Sequence, residues 1–263
     1  MQRAIVTLLT DFGESDFFVG AMKGVILSVN QEARIVDISH DIPPQSVREA
    51  AFVLKGAYPH FPPGTIHVAV VDPGVGMSRR PILVNAGAHL FVGPDNGIFT
   101  WVYKEWPCRV LELTQPQYFL PEVSDTFHGR DVFAPVAGHL SLGVHKIENF
   151  GRIIGDPVSI PFPEPILEHG KITGEVIHVD RFGNLVTNIP RMMIRGRVKP
   201  DEASIKVSGK VLEGISKSYS QKKEAELLAV IGGSGLLEIS VNMGSATKAL
   251  GARVGEKVTI SFP

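Results

Sequence analysis

The sequence predicts an α/β fold: an N-terminal α/β domain with a largely parallel central sheet, followed by a small C-terminal antiparallel β-barrel domain. Three observations predict it. Apolar strand-like runs alternate with helical periods from residue 4 to residue 71. The segment GDPVSIPFPEP, residues 155–165, carries four prolines in eleven residues, which disfavours helix and central strand alike. Beyond it come only short alternating runs punctuated by Gly, Asn and Ser. The expected organisation is therefore an α/β domain over 1–156, a Pro-rich linker over 157–168 and a β-barrel over 169–263. At 263 residues, each domain has enough chain to bury its own core.

AIVTLL, residues 4–9, is continuous, apolar and β-branched, as suits a strand buried on both faces. After Gly13, Ser15 or Asp16 is placed to cap a helix whose apolar positions Val19, Met22, Ile26 and Val29 recur near the helical period. Arg34–Ser39 reads as a second strand, Ser46-Val-Arg-Glu49 as a capping box opening a helix to Ala57, and Ile66–Val71 as a third strand. Such a succession builds parallel sheets through right-handed crossovers. PILVNAG and HLFVG read as a hairpin, GPDNG as a loop, Arg109–Leu113 as a strand and Asp125–Leu142 as a helix. Six strands are expected in the second domain, in KITGEVIHVD, GNLVTNI, ASIKVSG, ELLAVIG, LLEISV and KVTISF.

A formal net charge of −1 gives no electrostatic reason to expect nucleic acid or an anionic membrane as partner, and favours a small ligand. The single cysteine, Cys108, excludes an intrachain disulfide. MQRAIVTLLTDF lacks the apolar run and cleavage pattern of a secretory signal, and no segment is long enough to span a bilayer, so the expected compartment is the cytoplasm.

In an open α/β sheet, ligands bind beyond the carboxyl ends of the strands. Asp11 with Asp16, Ser39-His40-Asp41, and Asp72 all fall at such ends. Asp16 reads equally well as a helix cap, whereas for His40-Asp41 a place in the turn before Pro43-Pro44 is favoured over a ligand role. VVDPGVGMSRR has neither the phosphate-loop ending nor dinucleotide-fingerprint spacing. Its Asp72 and Arg79 are spaced to fold back as an ion pair, which in a cleft would orient a water or a substrate. His128, in DTFHGRDVFAP, has Gly129, Arg130 and Asp131 beside it. Asp11, Asp16, Asp72 and His128 also form a set of oxygen and nitrogen donors for Mg²⁺ or Mn²⁺, although no compact HxH, HExxH or DxD pair is present. In the second domain, Asp180 and Asn184 flank a Phe-Gly turn, and Ser234, Asn242 and Ser245 lie among glycines.

LLTDFGESDFFVGAMKG, VVDPGVGMSRR, GPDNG, TFHGRDVFAP, DRFGNLVTN and LLEISVNMGSA run in order from residue 8 to 246. Together they resemble the S-adenosyl-L-methionine hydroxide adenosyltransferase family, which is related to bacterial enzymes that fluorinate or chlorinate the same substrate. The resemblance implies hydrolysis of S-adenosyl-L-methionine to adenosine and L-methionine by water or hydroxide attack at ribose C5′, with no metal or other cofactor. It also implies a homotrimer whose active sites lie between the large domain of one subunit and the small domain of the next. By the same resemblance Asp11 binds the ribose hydroxyls and Asp16 lies near the methionine portion. Phe127 binds substrate, Asp180 and Asn184 hold the methionine amino and carboxylate ends, and Asn242, Ser245 and Ala246 contact adenine. Asp72, Arg79 and His128 match the trio assigned to water activation. The halogenating relatives differ at the first and third of these positions, which favours hydroxide over halide here. His128, with an ordinary pKa near 6.5, is the expected proton acceptor, Arg79 the holder of hydroxide, and Asp72 the orienting group. Two rivals remain: a metal-dependent hydrolase of a nucleotide or phosphoester, and a non-catalytic sensor of S-adenosylmethionine or adenosine.

Overall fold

Ile5–Thr10 forms strand β1 inside a seven-stranded sheet in the computed structural model of the chain, which describes residues 4–197 and 199–262. The last five residues of β1 are buried, as a strand covered on both faces requires. Its companions are β2 (Arg34–Ser39), β3 (Ile66–Val70), β4 (Pro81–Ala86), β5 (His89–Pro94), β6 (Cys108–Leu113) and β7 (Gly151–Ile154). Their order is β2-β1-β3-β5-β4-β6-β7. β1 pairs in parallel with β2 and β3, and β3 with β5, whereas β4, β6 and β7 complete the sheet with antiparallel pairings. The parallel core and the 81–94 hairpin are those the sequence predicts.

Alternation along the strands feeds two cores. Val6 and Leu8 pack with Met22 and Ile26 of helix α1 (Phe18–Val29), while Leu9 packs on the opposite face with Ala50 and Leu54 of α2 (Val47–Ala57). A short α3 (Thr100–Glu105) joins the α2 side, and α4 (Ala134–Ser141) the α1 side. Leu8, Leu54 and Ile26 are almost wholly enclosed. Each such side chain is worth about 1.5–3 kcal/mol relative to exposure.

Three local expectations are corrected. Neither Ser15 nor Asp16 caps α1: the cap position is Phe17, with no side-chain cap bond. Ser46 does occupy the cap of α2, but its side chain makes no cap hydrogen bond. The helix expected over 125–142 is instead a π-helical turn, Gly129–Phe133, running into α4. Pro135 supplies no N–H to the ladder, and the Ala134 amide bonds Gly129 O five residues back.

The chain divides into two compact units, Met1–Ile160 and Pro161–Pro263. The second unit is a nine-stranded, nearly closed sheet. Its strands are β8 (Ile166–Glu168), β9 (Lys171–Val179), β10 (Leu185–Pro190), β11 (Ser204–Val207), β12 (Lys210–Glu213), β13 (Ile215–Ser216), β14 (Leu227–Ile231), β15 (Leu236–Val241) and β16 (Lys257–Ser261). The order is β12-β11-β16-β9-β10-β15-β14-β13, with β8 on β9. The two ends of that path, β12 and β13, are separated in sequence only by Gly214, so the chain itself links the open edges. Ile172, Leu185, Ile189, Ile239 and Ile260 fill the interior. Short helices α5 (Arg191–Ile194) and α6 (Ala246–Leu250) decorate the rim. Among the described residues no helix is long and apolar enough to cross a membrane.

Candidate active site

The strand order fixes where a site can form. β1 has β2 on one side and β3 on the other, so the crossovers diverge between β1 and β3, and a crevice opens beyond their carboxyl ends. Thr10 and Val70 are register partners there, and Asp11 and Asp72 follow them by one and two residues.

Asp72 and Arg79 form the ion pair that their spacing suggests. Arg79 Nε donates to both Asp72 oxygens, at 3.1 and 2.9 Å, and Nη2 to Oδ2 at 2.5 Å. The two side chains are only 5% and 9% exposed, so the pair is desolvated and its forked geometry matters. Nη2 also lies 2.6 Å from His128 Nδ1. Because a guanidinium can only donate, Nδ1 accepts, and the neutral imidazole carries its hydrogen on Nε2. Burial, reinforced by the Arg79 cation, holds His128 below its ordinary value of 6.5, so the ring is neutral at neutral pH. The guanidinium carbon lies 5.5 Å from the centre of the Phe133 ring. Nη1 is buried and has no hydrogen-bond partner among the described residues.

The loops that carry these groups are packed on one another. Phe127 meets Phe12 and Phe18 edge-on, with centroids 5.8 and 5.2 Å apart, which binds the loop after β1 to the segment preceding His128. Gly76, at φ +74°, lies so close to that segment that a Cβ would sit 2.3 Å from Asp125 O. The same segment is tied from behind by Asp131, which accepts from the Ser124 amide and hydroxyl at 2.9 and 2.7 Å.

Asp11 Oδ2 accepts the Gln45 amide at 2.7 Å, leaving acceptor capacity on the carboxylate. Its turn is braced by His40, whose backbone carbonyl accepts from Gly13 N at 2.9 Å and whose Nδ1 is hydrogen-bonded to Thr10 Oγ1 at 2.8 Å. His40 is buried and acts in the turn. Asp16 is exposed on the following loop. Phe127 is buried in the aromatic group. Asp11, Asp72, Arg79, Phe127 and His128 thus belong to mutually braced loops of the first unit.

In the second unit, Asp180 accepts from the Phe182 and Asn184 amides at 2.9 Å each and from Asn184 Nδ2 at 2.8 Å. This turn seats against the segment after β15. A Cβ on Gly183, at φ +82°, would lie 2.1 Å from Ser245 Oγ, and Thr247 N donates to Gly183 O. Ser245 caps α6, Ala246 is buried and Asn242 Nδ2 donates to Lys222 O at 2.7 Å. Asp180, Asn184, Asn242, Ser245 and Ala246 are therefore brought together. Beside them Phe182 and Met243 are 75% and 85% exposed. Among the described residues no group of three or more His, Cys, Asp or Glu converges as a metal-ligand set.

The fold and these groups define a two-unit α/β and β-barrel protein with a desolvated Asp–Arg pair and an adjoining half-buried histidine at the sheet's switch point. The family model of the SAM hydroxide adenosyltransferase N-terminal domain matches residues 6–151, and that of its C-terminal domain residues 174–259. The chain belongs to the SAM hydroxide adenosyltransferase family. It is 37% identical to the (R)-S-adenosyl-L-methionine hydrolase of Thermus thermophilus, over 97% of this chain and 98% of that one. A fluorinase of Nocardia brasiliensis is 28% identical over 72% of each chain. The crystal structure of an uncharacterized conserved protein from Thermotoga maritima is similar with a TM-score of 0.92 and 37% identity, covering 97% of this chain and 99% of that one.

Sequence reasoning left Gln45, Thr10, Phe12 and Phe18 unassigned. Gln45 reaches Asp11 through a backbone amide at φ +66°, a conformation that the Pro43-Pro44 pair hints at but does not specify. That Phe12 and Phe18 converge on Phe127 is tertiary information.

Proposed function

We propose that the chain hydrolyses S-adenosyl-L-methionine to adenosine and L-methionine, by displacement at ribose C5′ with an oxygen nucleophile. The observation that carries this reading is the desolvated Asp72–Arg79 pair at the switch point with His128 Nδ1 on its guanidinium. A relative spanning nearly the whole chain and named for that hydrolysis supports it. The leaving group departs from a sulfonium as a neutral thioether and needs no general acid. Alignment is the main requirement, and it lowers a well-oriented barrier by roughly 7–11 kcal/mol.

Arg79 holds the nucleophilic oxygen through Nη1, whose two N–H groups have no partner among the described residues. A buried donor in that state costs about 1–3 kcal/mol, and an oxygen anion seated there removes the cost. Asp72 fixes the guanidinium plane. The role of proton acceptor expected for His128 is revised. Its Nδ1 lone pair is already engaged by Arg79, so taking a proton there breaks a 2.6 Å contact. His128 therefore orients Arg79, and the nucleophile arrives as hydroxide. Hydroxide capture makes kcat rise about tenfold per pH unit above 6.5, read from initial rates across a buffer series. A level profile above 6.5 would return proton acceptance to His128, which burial keeps neutral in that range.

Asp11 accepts from the ribose hydroxyls, with Asp16 and Phe127 along the substrate. Asp180 and Asn184 hold the methionine ends, and Asn242, Ser245 and Ala246 face adenine. The protein acts as a cytoplasmic homotrimer that completes each site from two subunits, without metal or other cofactor. The test offers both sulfonium epimers in chelator, because the Thermus relative's name specifies the (R) form. Adenosine and methionine are expected, with the (R) epimer consumed faster. Activity lost in chelator and directed at phosphoesters would contradict the reading, and so would ligand retained unchanged.

A further inference from the structure

The turn GPDNG, Gly93–Gly97, has no part in the chemistry above, yet the topology sets it beside the pair that does. β5 follows β3 and β4 in sequence but lies between them in the sheet. Its C-terminal turn therefore emerges between the strand end that delivers Asp72 and the strand start that receives Arg79 and Arg80. Two adjacent side chains of this turn engage both flanks. Asn96 Nδ2 donates to Val71 O at 2.8 Å. Asp95, its side chain 1% exposed, accepts through Oδ2 from Arg80 Nε at 2.9 Å and Nη2 at 2.6 Å, while its amide donates to Arg80 O at 2.9 Å. The residue before Asp72 and the residue after Arg79 are thus tied to neighbouring positions of one turn.

We propose that Asn96 and Asp95 are positioning residues for the hydrolysis. They fix the spacing of the two backbone points from which the Asp72–Arg79 pair is suspended. The role assigned here rests on the hydrolase reading. A purely architectural role competes with it for Asp95, whose Oδ1 also accepts from Val158 N at 2.8 Å, and for Arg80, whose Nη1 donates to Asp156 at 2.8 Å. Asn96 separates the two, because its side-chain bonds run to Val71 and to Ile98 N.

Asn96→Ala is expected to lower kcat about 10- to 100-fold, the scale of an ångström-level misplacement, with KM changed less than threefold. In an Arg79→Lys background, where the forked pair is already lost, the same change is expected to cost less than threefold. Equal proportional losses in the two backgrounds, or a rise in KM alone, would overturn the proposal. A second readout needs no turnover. The Arg79 Nε–H resonance, assigned by its disappearance in Arg79→Lys, is expected to be sharp in the wild type and broadened or shifted in Asn96→Ala. An unchanged resonance overturns the clamp, whereas a wild-type protein inactive on S-adenosylmethionine overturns only the hydrolase reading.

Discussion

Arg79→Ala is expected to lower kcat by about 10³-fold with KM changed only a few-fold, because the lost donors act on the nucleophile and not on the bound substrate. The same variant loses about 3–5 kcal/mol of stability, since Asp72 remains buried beside a vanished partner. The two effects are separable. Asp72→Asn combined with Arg79→Met removes both charges, and replacing a buried pair by groups of similar volume is often close to neutral. Its urea midpoint should return to near that of the wild type while turnover stays at the Arg79→Ala level. Recovery of activity together with stability would make the pair structural. Steady-state kinetics and equilibrium unfolding on the three proteins decide the matter.

Acid is expected to destabilise the first unit through a histidine remote from the chemistry. His67 on β3 is fully buried, hydrogen-bonded to Thr7 Oγ1 at 2.8 Å, stacked on Phe91 and 3.3 Å from His89 Nδ1. Burial, with His89 adding to it, pushes its pKa down to about 3. The folded state therefore keeps the ring neutral while the unfolded chain takes up a proton below its ordinary 6.5. Stability is fully present above 6.5 and falls by about 1.4 kcal/mol per pH unit below it, until the folded pKa is reached. Two units of acidification cost about 3 kcal/mol from this residue alone. His89, His128 and His139 are shifted the same way and add to the slope. His67→Gln keeps hydrogen-bonding atoms without titrating, so its unfolding free energy should depend on pH less steeply than that of the wild type. Parallel curves for the two proteins would contradict the assignment.

The parts of the fold that were legible are those with a long period or a hard stop. β1, α1, β2, α2 and β3 announce themselves through apolar runs and helical spacing, and the prolines of 155–165 leave that segment without helix or strand. The six residues of α3 are too few to show a period, and β8, β12 and β13 span two to four residues each. Their place is decided by register with longer neighbours. The π-helical turn before α4 depends on a missing proline amide inside an otherwise helical run, which pattern reading treats as ordinary helix.

In the site, the seven-residue spacing of Asp72 and Arg79 was enough to anticipate their pairing. The contact between Arg79 and His128 was not readable, because it joins positions 49 residues apart and also decides which imidazole nitrogen carries the hydrogen. Asp180 and Asn184 were legible as one turn, and hydrogen bonds from Asn184 N and Nδ2 to the Asp180 carboxylate close it. The bracing by Gln45 and by Asn96 runs to or from the backbone, which leaves little trace in residue types.

The most direct test of the central claim is turnover of S-adenosylmethionine in oxygen-18 water with high chloride and a chelator, followed by mass analysis of the nucleoside. Adenosine carrying the heavy oxygen on C5′ is the result this account predicts. 5′-Chloro-5′-deoxyadenosine, or adenosine without the label, would contradict it.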